Sequence, residues 1–144
     1  MGQQQLLLVI LVTILVGIAT VVAINVFGTA AEQSNRDAVR QDLLAAAATA
    51  QGLWSRPEAM GGTGEDFSNL DDIRRLNIPR GSGVDDVYTA ESIANDNGAY
   101  SMTTGTTTLT LLGVPNSGGQ SIQVILSRDT STDPDRWQLD WTEI

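Results

Sequence analysis

The residues best suited to chemistry in this chain are three closely spaced carboxylates, Asp129, Asp133 and Asp135. Carboxylate oxygens are hard ligands of the kind that Ca²⁺ prefers, so their loop is a candidate cation site. The spacing lacks the Asp-x-Asp-x-Asp-Gly order of a recognised calcium loop, and Asp–Pro segments are also common solvated turns. We therefore expect no metal or cofactor, with Ca²⁺ at these three residues as the alternative.

Cysteine and histidine are both absent from the 144 residues. Their absence excludes disulfide bridges, the usual Cys/His zinc sites, covalent haem attachment and catalysis by a nucleophile–histidine pair. The carboxylates do not fall in a paired pattern that is typical of a glycosidase. The composition therefore predicts a protein that is not an enzyme and that is held together by packing and hydrogen bonds.

The charge is acidic and unusual in residue type. All 8 basic residues are arginine, and they stand against 12 Asp and 5 Glu, which gives a net charge of −9. This balance argues against nucleic acid or an anionic membrane surface as a partner of the soluble part. An acidic surface without lysine resembles that of halophilic proteins, because the Debye length falls to about 3 Å near 1 M salt. An acidic secreted protein from an arginine-preferring genome is the alternative.

The N-terminal element of the chain, which precedes all the charged residues, is a long apolar segment. Residues 6–28 carry no charge, and the first basic residue is Arg36. As a helix, these 23 residues span about 34 Å, which is enough to cross a bilayer. We expect residues 1–28 to form a transmembrane or filament-core helix and residues 29–144 to form a soluble domain. Gly17 is a position where a second helix could approach closely, or where the helix could unwind locally.

The helical pattern continues beyond the apolar segment. Residues 29–55 are rich in Ala, Leu, Gln and Arg, and no proline occurs before Pro57. Val39, Leu43 and Trp54 recur at helical spacing and mark one buried stripe. We therefore expect a single helix of about 50 residues, about 75–80 Å long, whose amphipathic rear half is covered by the rest of the chain.

The remaining sequence changes from irregular to strand-like. Residues 56–98 are interrupted by Gly and Pro and are predicted to form an irregular loop region. Residues 99–144 alternate with a period of two, and Trp137, Leu139 and Trp141 share one face. That face is the natural cover for the helical stripe. The fold class predicted is α+β, with a long N-terminal helix packed on a C-terminal antiparallel sheet of three to four strands.

This arrangement resembles the type IV pilin and pseudopilin family, with a likeness in sequence over about residues 1–54. In that family a prepilin peptidase removes a short basic leader just before the apolar run, and the new N-terminal residue is commonly methylated. The resemblance implies that Met1 takes that role, or Gln3 in a shifted register. Gln5 stands where the family usually has a Glu that pairs with a neighbour's terminal amine, and Val22 replaces the usual proline. A hydrogen bond would therefore replace that charge pair.

The resemblance implies a major pilin, the structural subunit of an extracellular type IV pilus-like homopolymer formed by lateral packing of apolar helices. The subunit would reside in the inner (cytoplasmic) membrane, with the prepilin peptidase and the assembly machinery as partners, before it joins the pilus. The alternatives are a pseudopilin of a type II secretion-like system, an archaeal pilin, and a single-pass membrane protein with a ligand-binding outer domain. The expected assembly residues are Met1, Gln5, Leu6, Val9, Val16, Gly17 and Gly28, and the expected domain-packing residues are Val39, Leu43, Trp54, Trp137, Leu139 and Trp141.

Overall fold

The computed structural model describes residues 2–81, 89–131 and 136–144. They form one long helix followed by a five-stranded antiparallel sheet, which confirms the predicted α+β class. The chain divides into two compact units, Met1–Ser34 and Asn35–Ile144. Each unit has its own structural character.

Helix α1 covers Gly2–Trp54 and contains no proline. All side chains from residue 2 to residue 31 are exposed, so the first unit has no hydrophobic core of its own. From Val39 onward one stripe of the helix is buried, because apolar residues recur every three or four positions on the same face. The buried residues of α1 are Val39, Leu43, Ala46, Ala47, Ala50, Leu53 and Trp54.

The sheet is a meander in which every strand pairs antiparallel with the next one in the chain. Its core is made by alternating residues of the central strands, where Leu109 pairs with Leu126 and Leu111 pairs with Val124. All four of these side chains are fully buried. The strands are β1 (Ser92–Ala94), β2 (Gly98–Thr104), β3 (Thr108–Pro115), β4 (Ile122–Asp129) and β5 (Arg136–Glu143).

The sheet has five strands, so the prediction of three to four was too low. The additional strand is β1, which lies within the range 56–98 that was expected to be irregular. Three residues are too short to show an alternating pattern, and β1 exists because it pairs with β2 in the register Ser92↔Ser101. Its central residue, Ile93, is buried and extends the core.

The region between α1 and the sheet is more ordered than its composition indicates. The described part of this region, residues 55–81 and 89–91, contains three short 3₁₀ helices, Glu58–Met60, Phe67–Asn69 and Ile73–Leu76. The second and third are capped by Asp66 and Asp72, whose carboxylates accept backbone N–H groups two residues ahead. These caps hold the two short helices in place, and side chains of these helices contribute to the core. The buried residues supplied in this way are Phe67, Ile73 and Leu76.

Helix α1 and the sheet approach closely at Gly113. A Cβ atom at this position would lie 2.6 Å from Cγ1 of Val39 and 3.2 Å from Cδ1 of Leu43. Only glycine avoids this clash, because it presents no side chain to the helix. Gly113 in β3 therefore sets how deeply the helical stripe is seated on the sheet.

Candidate functional site

The most exposed apolar surface of the molecule is the apolar segment, residues 6–28 of α1. Its large side chains remain about half to three-quarters exposed, from Ile10 at 46% to Phe27 at 75%. An 18-residue window of α1 has a mean hydropathy of 3.1, and none of that window is buried. By length and composition α1 could cross a membrane as an anchor, and a signal sequence near the N-terminus has the same properties.

The hydroxyl groups in and beside the apolar segment are satisfied within the helix itself. Thr13 donates to the carbonyl oxygens of Val9 and Ile10, and Thr20 donates to that of Val16 at 2.8 Å. Thr29 bonds to the preceding turn in the same way. Because these donors need no water, this part of α1 is suited to an apolar environment such as lipid or other helices.

The side-chain amides at the two ends of the apolar segment are different. Asn25 makes no side-chain hydrogen bond within the described part of the chain, and neither do Gln3, Gln4 and Gln5. All four side chains are exposed. Each carries both donors and an acceptor that remain available to a partner outside the chain.

The predicted assembly residues lie on this surface where the structure describes them. Gln5, Leu6, Val9 and Val16 are exposed, and Met1 lies outside the described residues. A Cβ atom added at Gly17 or Gly28 would meet nothing within 4 Å. No contact within the described chain therefore requires glycine at these two positions, so any need for a small residue there must come from a partner.

A polar cluster that sequence reasoning missed connects α1 to the β1–β2 hairpin in the second unit. Oδ2 of Asp42 accepts hydrogen bonds from the Tyr100 hydroxyl at 2.6 Å, from Asn95 Nδ2 at 3.0 Å and from Asn97 Nδ2 at 2.9 Å. We call these four residues the Asp42 cluster. Asn95 also shapes the hairpin turn, because its Oδ1 accepts the backbone N–H groups of Asn97 and Gly98.

The Asp42 cluster is built for stability. Tyr100 is 1% exposed, and burial, followed by its hydrogen bond to Asp42, raises the pKa of its hydroxyl above the ordinary value. Tyr100 therefore stays protonated and acts as a donor at physiological pH. In the sequence, the one available sign of this cluster is that Asp42 lies beside the Val39–Leu43 stripe. A single carboxylate at such a position cannot be told from a solvated charge.

A second connection joins α1 to the end of β5. Arg36 Nη2 lies 2.8 Å from Oε2 of Glu143, and Arg40 also pairs with Glu143. The hydrogen bond from Arg36 and then the charges of both arginines hold the pKa of Glu143 below its ordinary value. The three side chains are partly exposed, from 23% for Arg36 to 44% for Arg40, so the pairs align the helix and the strand and contribute modestly to stability.

The three aromatic or aliphatic residues predicted on β5 occupy different environments. Trp137 and Leu139 are partly buried against the core. Trp137 packs edge-on against Trp54, with 5.6 Å between ring centroids, and the ring of Phe67 lies 6.0 Å away. Trp141 is 42% exposed and lies at the margin, so it covers the helical stripe less than expected.

The candidate calcium loop is only partly described. Oδ1 of Asp129 accepts the backbone N–H of Ser131 at 2.9 Å and its hydroxyl at 2.5 Å, and these bonds lower the pKa of Asp129. Asp133 and Asp135 lie outside the described residues. Among residues that the structure does describe, no group of three acidic side chains is arranged to hold a metal ion. Asp129 is thus engaged in a local turn.

Comparison of the chain with protein-family models, with curated proteins and with solved structures finds no match.

Proposed function

We propose that this protein is the structural subunit of a helical filament of the type IV pilus kind, assembled by lateral packing of the apolar segments. The observation that carries the proposal is an uncharged helical surface, residues 6–28, that is exposed along its whole length. Such a surface cannot remain in water, since apolar area is driven out of it. Lipid covers it before assembly, and identical subunits cover it in the filament.

The hydrogen bonding of the apolar segment supports this proposal. The threonine hydroxyls of Thr13 and Thr20 are bonded to carbonyl oxygens of the same helix. The segment therefore carries no buried-donor penalty from these groups when it moves from lipid to a dry bundle. A segment that serves both environments is what a subunit needs if it is stored in a membrane and then polymerised.

The free energy gained when an apolar segment packs against its neighbours is large, and every subunit of the filament gains it. A helix that loses about 400 Å² of apolar surface to its neighbours gains about 10 kcal/mol gross, at about 25 cal/mol per Å². Extraction from lipid offsets much of this, because acyl chains are already apolar. The net driving force then depends on close packing, for which small residues such as Gly17 are suited.

Before assembly the subunit would reside in the cytoplasmic membrane, and a prepilin peptidase and an assembly machinery would be its partners. The finished homopolymer would be extracellular. No nucleic-acid binding is proposed for residues 35–144, because the chain carries a net charge of −9. A pseudopilin of a secretion system would use the same surface in a shorter filament.

A single-pass membrane protein with a ligand-binding outer domain is the second candidate. It is favoured by a half-open polar hollow of about 340 Å³ in the second unit, lined in part by Ser68, Asp71, Glu91 and Thr103. A hollow of this size lies at the lower end of the range for small-molecule sites. Because its lining is mostly polar and open to solvent, this hollow supports a function less strongly than the apolar segment does.

Negative-stain electron microscopy of the native protein, released from cells by shearing, separates these candidates. The filament proposal predicts uniform fibres that contain this chain as the main component by mass spectrometry. Particles of single molecules, recovered only with detergent from the membrane fraction, would contradict it and favour the single-pass candidate. Short fibres retained in the envelope would indicate a pseudopilin.

A further inference from the structure

The two edges of the sheet differ in how their backbone groups are paired. At the β1 edge, Ser92 exchanges backbone hydrogen bonds with Thr89, and the carbonyl oxygen of Ala94 accepts the N–H of Gly81. Strand β1 is also only three residues long. The chain therefore covers this edge with its own residues, which is a common way to prevent pairing with other molecules.

The β5 edge is open. Ser121 and Ile144 exchange two backbone hydrogen bonds at 2.9 Å, and every residue of β5 then pairs with one residue of β4. Because the direction of backbone groups alternates along an antiparallel strand, every second residue of β5 turns its N–H and C=O away from β4. Within the described part of the chain, these outward groups have no hydrogen-bond partner. The residues that carry them are Trp137, Leu139, Trp141 and Glu143.

Strand β5 lacks the features that commonly protect an open edge. It is eight residues long, contains neither proline nor lysine, and pairs with β4 without a bulge. On its core-facing side, Trp141 is 42% exposed, and Leu44 of α1 lies beside it and is 52% exposed. An open edge of this length next to an apolar patch is a surface to which another β-strand can add.

We propose that a second copy of this chain binds here, with the two β5 strands antiparallel and Leu139 of one copy opposite Leu139 of the other. Residues 136–142 of both copies then pair, and the outward residues exchange backbone hydrogen bonds across the new contact. Trp141 of each copy lies opposite Trp137 of the other, so each half-exposed ring gains an aromatic neighbour. The pair closes after two copies, so this inference goes beyond the proposed filament and does not rest on it.

Side chains on the solvent-facing side of β5 favour this register. In it, Gln138 of each copy lies opposite Asp140 of the other, where the amide can donate to the carboxylate. A register centred on Asp140 would place this carboxylate directly opposite its own counterpart, and like charges in that position are destabilising. The charge of β5 therefore excludes the register that would otherwise pair the most outward residues.

Two other centres use the edge less well. A centre at Gln138 pairs a shorter stretch of β5 and leaves the outward groups of Trp141 beyond the paired residues. It would also set Arg136 opposite a carboxylate, although the charge of Arg136 already acts on Asp129, its neighbour across β4. A centre at Trp141 would place the charged Glu143 opposite an apolar residue. The proposed register avoids these losses.

The absence of cysteine from the chain makes the register measurable by cross-linking. Full-length Gln138→Cys and Asp140→Cys chains, in mild non-ionic detergent, are oxidised separately and after mixing, and are then separated by denaturing electrophoresis. The pairing predicts a covalent dimer from the mixture, because opposite Cα atoms in such a pair lie about 4.5 Å apart, within the range of a disulfide. Each chain alone should form only traces, since its cysteine and that of its copy would lie about 7–8 Å apart.

A mixture of Gln138→Cys with Thr110→Cys is the matched control. Thr110 lies on the same face of the sheet, in the row of residues that contains Asp140, but in the interior strand β3. This mixture should give no dimer. A dimer from the control, or as much dimer from either chain alone as from the first mixture, would overturn the register. No dimer from the first mixture would overturn the pairing of two β5 strands.

A change of charge provides a second readout that needs no cysteine. Gln138→Asp places a carboxylate opposite Asp140 on both sides of the centre, and it should weaken dimerisation about tenfold in sedimentation equilibrium. Exchange of the two residues, with Gln138→Asp and Asp140→Gln in one chain, should restore the dimer. Thr110→Asp adds the same charge away from the edge and should have no effect. Tryptophan fluorescence checks that each variant is folded, and unchanged dimerisation of Gln138→Asp would contradict the pairing.

Discussion

At the residue scale, the Asp42 cluster shows how a single carboxylate can organise a small fold. Three donors converge on one oxygen, and two of them belong to residues that are nearly inaccessible, Tyr100 at 1% and Asn95 at 6% exposure. A buried donor that loses its acceptor incurs its full desolvation penalty. Asp42 is therefore the polar residue of α1 on which the position of the β1–β2 hairpin depends most.

Replacing Asp42 with Ala is expected to lower the free energy of unfolding by about 2–4 kcal/mol, because it leaves the Tyr100 hydroxyl and the Asn95 amide without an acceptor. Tyr100→Phe should cost less, about 1 kcal/mol, since Asp42 keeps its two other donors. Tryptophan fluorescence during urea unfolding of the full chain in mild detergent measures the free energy of unfolding of both variants. All three tryptophans lie within residues 35–144, so the signal reports on that unit alone.

Asp37→Ala is the matched control for the Asp42 prediction. Asp37 lies on the same helix, but its side chain is 56% exposed, and among the described residues it pairs with Arg40 alone. An exposed ion pair of this kind contributes at most about 1 kcal/mol. Equal losses of stability in Asp37→Ala and Asp42→Ala would show that the cluster has no special role.

At the element scale, the parts of the fold that could be predicted are those with long periodic patterns. The spacing of Val39, Leu43 and Trp54 predicts the buried stripe of α1, and the alternation of residues such as Leu109 and Leu111 predicts β3. Strand β1 could not be predicted, because its three residues have no period and depend on pairing with β2. Local pattern is visible in a sequence, whereas pairing between distant residues is not.

The candidate sites follow the same division. The apolar segment is evident from composition, because its signal lies in 23 consecutive residues. The Asp42 cluster could not be predicted, because the partners of Asp42 lie 53 to 58 positions away in the chain. The exposure of Trp141 could not be predicted for a similar reason. Its alternation with Trp137 shows which face of β5 it lies on, but not how far α1 extends over that face.

Strand β5 provides a comparison between two tryptophans on the same face. Trp137→Ala should lower the free energy of unfolding by about 3 kcal/mol, since it removes a ring packed against Trp54 and Phe67. Trp141→Ala should cost only about 1 kcal/mol, because that ring is 42% exposed and loses less buried area. Circular-dichroism melts of both variants test the difference, and equal losses would contradict the packing described for β5.

At the scale of the whole molecule, the charge is the dominant feature. Glu143 forms ion pairs with Arg36 and Arg40, which neutralise part of the positive charge. Acidic groups still exceed basic groups by nine in the whole chain, which gives the net charge of −9. Mutual repulsion of these acidic groups opposes the compact state, and salt screens it. The protein should therefore gain stability as ionic strength rises.

Raising NaCl from 50 mM to 2 M should increase the melting temperature of the folded unit by about 5–10 °C, equivalent to about 1–2 kcal/mol. The measurement is a circular-dichroism melt of the full chain in non-ionic detergent. A double variant, Asp96→Asn with Asp140→Asn, removes two exposed charges and should show a smaller gain. A flat or falling melting temperature in the wild-type chain would contradict the role assigned to acidic repulsion.

The most direct test of the filament proposal is the fibre count of Val16→Asp, with Val16→Leu as the matched control. A carboxylate at the centre of an apolar helix costs about 2.5–3.5 kcal/mol even on insertion scales, and every subunit in a fibre would repeat this defect. The proposal predicts that Val16→Asp abolishes fibres while its tryptophan fluorescence stays native, and that Val16→Leu assembles normally. Wild-type numbers of fibres from Val16→Asp would contradict the assignment of residues 6–28 to the filament core.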